Sequence, residues 1–93
     1  MAASYNPELP TPKDVIRLII GDVGPTFLMS DEEIEGLYAQ SGENLVETIG
    51  RAFEALASDP RKLNILRDIV GGTVTIAELM AVYAAKAARW TGR

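Results

Sequence analysis

Apolar residues recur at helical spacing through most of this chain, and short polar or Gly/Pro interruptions cut them into blocks. Val15, Ile16, Ile19 and Ile20 form one side of a first helix over 11–20, and Leu18 widens that face. Thr11 is placed to cap it, Pro12 suits its first position, and Asp14 complements the positive end of the helix dipole. Gly21 suits a left-handed stop. A second helix opens at Ser30, with Glu33 three residues on as a capping box and Asp31 and Glu32 in its first turn. Met29 and Ile34 flank that cap as a hydrophobic staple, Ile34, Leu37 and Tyr38 face inward, and the helix stops near Ser41-Gly42. Between these helices Gly24-Pro25 marks a turn, Phe27 and Leu28 fold back over the core, and Asp22 hydrogen-bonds nearby backbone N–H groups.

Asn44 caps a third helix, with Glu47 in its first turn and Leu45, Ile49, Ala52, Phe53, Leu56 and Ala57 on one face. Pro60 cannot continue a helix, so Asp59 caps a fourth over 60–70, with Leu63, Leu66, Ile69 and Val70 inside. Gly71-Gly72 breaks the chain, and 73–75 is a short extended piece. Thr75 and Glu78 form a second capping box for a last helix over 76–91. Leu79, Met80, Tyr83, Ala87 and Trp90 lie on one stripe of it, and Ala81, Ala84, Ala85 and Ala88 keep the remainder small. The expected fold is all-α: a small bundle of four to five short helices over 11–93, with the second, third and fifth as its central packing unit. Residues 1–10 precede it as an extended arm, because Pro7 and Pro10 disfavour helix there. That arm is either a frayed end or a segment that docks on a neighbouring subunit through Tyr5 and Leu9.

Composition narrows the chemistry. The 93 residues include no cysteine and no histidine, which removes disulfides, thiolate metal sites, imidazole bases and cysteine nucleophiles. The Asp31, Glu32, Glu33 and Glu35 cluster is explained by capping and solvation, and lacks the alternating oxygen ligands of a calcium loop. Gly21-Asp22-Val23-Gly24 follows a helix rather than a strand, with no Gly-Lys-Ser/Thr after it, so it reads as a helix stop and not a phosphate loop. No catalytic residue, metal or cofactor is expected, and the chain does not read as an enzyme. The net charge of −4 argues against sequence-specific DNA binding; Arg51, Arg61, Lys62 and Arg67 are scattered, either solvated or available to DNA or acidic partner surfaces. No apolar run approaches the roughly 20 residues that span a bilayer, and no signal-peptide order opens the chain, so an intracellular protein without a membrane partner is expected. A domain this small often gains stability by self-association. Tyr83 on the last helix either completes the core or contacts a neighbour, and Trp90, in the last turn where a core thins, is expected with Phe27 to contact a neighbour.

The order Thr11-Pro12-Lys13-Asp14, then Ile20-Gly21-Asp22, then Met29-Ser30-Asp31-Glu32-Glu33-Ile34 resembles the small head–tail connector (adaptor, head-completion) proteins of tailed bacteriophages. The likeness covers residues 11–57 well and the rest loosely: Gly72-Thr73-Val74-Thr75-Ile76 lacks the acidic residue of the family's segment, and the break at Pro60 departs from one longer helix. The resemblance implies a structural protein of the virion neck, assembled in the bacterial cytoplasm. Its partners would be the portal protein, tail or head-closure proteins, and its own copies in a ring, a dodecamer if portal symmetry sets the number. DNA would pass through without specific binding. The alternative is a small adaptor domain that takes one partner helix in a groove.

Overall fold

The structure, a computed structural model, describes residues 3–69 and 73–91. Five helices carry the fold: α1 (Pro12–Ile20), α2 (Asp31–Gln40), α3 (Leu45–Ala57), α4 (Pro60–Ile69) and α5 (Ile76–Thr91). No strand occurs among the described residues, so the all-α expectation holds. The radius of gyration, 12.7 Å, is that of a compact bundle.

Each helix starts where a side chain satisfies its first free N–H groups. Thr11 Oγ1 accepts from Asp14 N, and the Ser30 hydroxyl and Glu33 carboxylate bond reciprocally across the start of α2. Asn44 Oδ1 accepts from Glu47 N at 2.9 Å, and Asp59 Oδ1 from Arg61 N at 3.1 Å. At α5 the expected reciprocal box is different: Thr75 Oγ1 accepts from Glu78 N, but the Glu78 carboxylate accepts from the Thr75 hydroxyl. Gly21 closes α1 at φ 79, a conformation that costs any residue with a Cβ about 1–2 kcal/mol.

Helix α3 is the hub. It meets α1, α2, α4 and α5, most extensively α5. Of the expected trio of second, third and fifth helices, α3 packs against both α2 and α5, while no Cα of α2 comes within 8 Å of α5 among the described residues. The reason lies in how far burial extends around α3: Ile49, Ala52, Phe53 and Leu56 are joined by buried Thr48 and Gly50. The Thr48 hydroxyl donates to Asn44 O at 2.6 Å, so its burial leaves no polar group unpaired. Ile16 and Ile20 of α1, Leu28 and Met29 of the loop, Ile34 of α2, Leu63 of α4, and Tyr83 and Ala87 of α5 close around this hub.

Several apolar residues expected inside are outside. Leu18 is 50% exposed, Ile19 38%, Ile69 55% and Met80 37%. The buried stripe of each helix is narrower than its apolar run, and on α1 part of the inner face is taken by Asp14 and Arg17. Val70, Gly71 and Gly72 lie outside the described residues. Residues 3–10 form no helix and contain one turn, in which Leu9 N donates to Asn6 O and Glu8 N to Asn6 Oδ1.

The two sides of α1 should respond differently to truncation. Ile16→Ala, at a fully buried site, is expected to cost about 2–5 kcal/mol of unfolding free energy. Leu18→Ala should stay within about 0.5 kcal/mol. Urea denaturation followed by circular dichroism distinguishes them, and equal losses would contradict this packing.

Candidate functional site

Helix α1 buries two charged residues, Asp14 and Arg17, beside Ile16 and Ile20. Its Arg17 is 0% exposed, and the fork of its guanidinium is shared between two carboxylates and two carbonyls. Nη1 donates to Asp22 Oδ2 at 2.9 Å and, at 3.4 Å, to Asp22 O. Nη2 donates to Met29 O at 2.8 Å and to Asp31 Oδ1 at 2.9 Å. The Phe27 ring covers the guanidinium, with Cζ 4.6 Å from the ring centroid, a cation–π contact strengthened by the burial of Arg17. Gly24 makes room for that ring, because a Cβ there would lie 2.9 Å from Phe27 Cζ. Arg17 Nε finds no partner.

Asp22 completes the arrangement as expected of it: its two oxygens also accept from Leu28 N at 2.7 Å and Met29 N at 2.9 Å. The loop from 22 to 30 is therefore wound around one arginine. Lys13 Nζ lies 3.4 Å from Asp31 Oδ2, so Asp31 is shared between Lys13 and Arg17 while Asp22 pairs with Arg17. Asp31, expected only to serve the helix dipole, is an ion-pair partner as well. Burial works against its ionisation, but bonds from Arg17, Ser4 and Lys13 outweigh burial and hold its pKa far below the ordinary aspartate range. At Asp14 the Thr11 hydroxyl lowers the pKa most, helped by Asn6 N–H and Lys13 against the effect of burial. At Glu33 burial is again overcome, by Ser30 N–H and by Lys62. Lys62 is not simply solvated: its Nζ donates to Leu28 O at 2.5 Å and Glu33 Oε1 at 3.0 Å, tying α4 to the start of α2.

With charges turned inward, the opposite side of α1 carries Leu18 and Ile19, flanked by half-buried Val15 and, just beyond the helix, Val23 at 39% exposure. These exposed apolar residues are the strongest candidate for contact with another molecule. The residues singled out from sequence are dispersed by comparison. Tyr83 is 8% exposed, 6.0 Å from the Phe53 ring and under Lys86 Nζ at 5.3 Å, so it completes this chain's own core. Burial, reinforced by the Asp22 carboxylate, raises its pKa. Trp90 packs partly against the same core, Phe27 lies over Arg17, and Tyr5 and Leu9 are half-buried in the arm. Arg51 pairs with Glu47 one turn away at 3.2 Å, Arg61 is exposed near Asp59, and Arg67 is half-buried. The burial of Arg17 is not among the sequence expectations. Its signal is the apolar residues on both flanks of a charge that a surface helix would place outside.

Chemically the cluster holds a loop in place. Its charged groups are committed to one another, and among the described residues no group of three or more acidic side chains is placed to hold a metal ion. No described helix is long and apolar enough to cross a membrane.

Arg17→Met should cost about 3–5 kcal/mol, because it strands Asp22 and Asp31 without their cation. Arg17→Lys should not restore the loss, since one ammonium cannot reproduce a planar two-sided fork. Chemical denaturation measures both, and recovery by lysine would refute the role of the fork. The pH dependence follows from the lowered carboxylates: the folded chain binds fewer protons than the unfolded chain. Their stabilisation is full above about pH 5 and is lost as pH falls through about 4 and below. The denaturation midpoint should fall over that range, and less steeply for Asp31→Asn. No family model, curated protein or solved structure matches this chain.

Proposed function

We propose that this chain is a head–tail connector of a tailed phage, a neck protein assembled in the bacterial cytoplasm and carried in the virion. One observation supports the reading above others: α1 buries Asp14 and Arg17 while its Leu18 and Ile19, and Val23 just beyond it, are exposed. An apolar face left over while charges are buried is suited to a second protein surface, and a head-to-tail contact repeated around an axis closes a ring. In this reading that face joins successive subunits beneath the portal, in a dodecamer if portal symmetry sets the number. The rest of the ring offers docking surface to tail or head-closure proteins. The motifs that carry the family resemblance are the same α1 stop and α2 start that the Arg17 cluster joins. Interface burial does the work, and no catalysis is invoked.

The acidic balance fits a channel that lets DNA slide. Glu32, Glu35 and Glu43 are exposed, and carboxylates facing a water-filled lumen repel phosphate. A second reading, a domain that binds one partner helix, draws on a different feature. A groove of about 300 Å³ runs between α2 and α3, with Met29, Leu37 and Ala55 as its apolar floor and Glu32, Glu33 and Gln40 at its edge.

Mixing the protein with portal-bearing heads and imaging by electron microscopy tests the proposal. Rings at the portal vertex are expected, and Leu18→Asp with Ile19→Asp should reduce head-bound protein more than about tenfold while helicity is retained. A lasting monomer by light scattering that ignores heads but binds a single helical peptide would favour the groove reading instead.

A further inference from the structure

The described part of the arm, residues 3–10, sits on a dock that the body of the chain builds without it. Asp31 is fixed by Arg17 and Lys13, and Asp14 accepts from the Thr11 hydroxyl at 2.6 Å. Onto these two carboxylates the arm donates its own groups. Ser4 N and Ser4 Oγ each reach one oxygen of Asp31 at 3.0 Å, and Asn6 N reaches Asp14 Oδ1 at 2.9 Å. Lys13 Nζ donates to Ser4 Oγ at 2.9 Å and closes the clasp. A preformed pair of carboxylates is thus matched in spacing to N–H and O–H groups of this particular segment.

The connection back to α1 is the unfavourable part. Pro7 and Pro10 bracket it, and the turn from Asn6 to Leu9 holds Leu9 at φ 58, in the left-handed region that a leucine rarely adopts. Within one chain, that reversal links the docked arm to the start of α1. The same segment from a second copy could reach both carboxylates without it. The dock also borders the outward apolar face, since Asp14 and Leu18 lie one turn apart on α1. We infer that the arm is exchanged between copies: residues 3–10 of one chain seat on Asp14 and Asp31 of the next, beside the Leu18 and Ile19 contact. The choice of a second copy as partner rests on the self-assembly proposed above, while the arm contact is separate from the apolar one. Exchange of an identical segment is a low-cost route from monomer to assembly, because the arm makes the same hydrogen bonds between chains that it makes within one.

The chain has no cysteine, so introduced thiols report without background. Chains carrying Ser4→Cys and chains carrying Asp31→Cys are prepared separately, unfolded together, refolded and oxidised. A disulfide joining one chain of each kind is expected. Its absence, with the double variant Ser4→Cys/Asp31→Cys closing only within single chains, overturns the inference. Asp31 also holds Arg17, so a second measurement leaves it intact. A nitroxide on the Ser4→Cys chain, mixed with isotope-labelled wild-type chain, should broaden the Lys13, Asp14 and Asp31 amides of the labelled partner. Unbroadened amides at concentrations where the chains associate overturn it equally. Leu9→Gly removes the penalty of the self-docked turn and should weaken association about five- to thirty-fold; unchanged or tighter association contradicts the inference. Rings on portal-bearing heads without inter-chain disulfide would sink arm exchange and leave the connector reading standing. An inter-chain disulfide in chains that ignore heads would do the reverse.

Discussion

A guanidinium removed from water is costly unless nearly every N–H has a partner, and Arg17 imposes that condition on its neighbours. Asp22 must approach from the end of α1, Asp31 from the first turn of α2, and the Met29 carbonyl from the chain between them. Once all three are in place, the loop has little freedom left, and Phe27 closes over the top. The position of α2 against α1 therefore follows from one side chain more than from the apolar contact between these helices. The Ser30–Glu33 box and the Lys62 bonds extend the same constraint to α4. Polar geometry specifies the join, and the apolar contacts of α3 with α5 supply the bulk of the packing.

Burying Asp14 and Arg17 has a consequence for the surface. A helix of nine residues has limited circumference, and charges on the inner side displace apolar side chains to the outer side. Leu18 and Ile19 face solvent for that reason and not through any weakness in the core. The arm lies next to that surface, held by carboxylates the cluster keeps ionised. Orientation of α1, exposure of the apolar face and seating of the arm thus share one electrostatic origin.

Much of the local structure was legible in the residues themselves. Thr11, Ser30, Asn44 and Asp59 announce helix starts, Gly21 and Pro60 announce a stop and a restart, and each signal acts through a backbone bond within a few residues. The inward faces of α2 and α3 were legible too, because polar residues leave one stripe available on each. The candidate surface was not. On α1, Val15, Leu18 and Ile19 compete with Ile16 and Ile20 on nearly equal hydrophobicity, and periodicity has no means of choosing between two apolar sides. Tyr83 and Trp90 stand out by size, yet the size of an aromatic ring says nothing about whether its neighbours come from the same chain.

By itself the amino-acid order determined where helices begin and end, that the fold is all-α, and which chemistries lack the side chains they need. These properties depend on short-range hydrogen bonds and on residue inventory. Only the tertiary structure decided that Arg17 is interior, that α3 is the hub, and that the apolar face of α1 points outward. Those outcomes depend on pairing groups that are distant in sequence: the partners of Arg17 lie five, twelve and fourteen residues away, and those of Lys62 lie 29 and 34 away. No local pattern encodes which distant carboxylate will neutralise a given cation, so the burial of a charge, and all that it displaces, is settled when the helices meet.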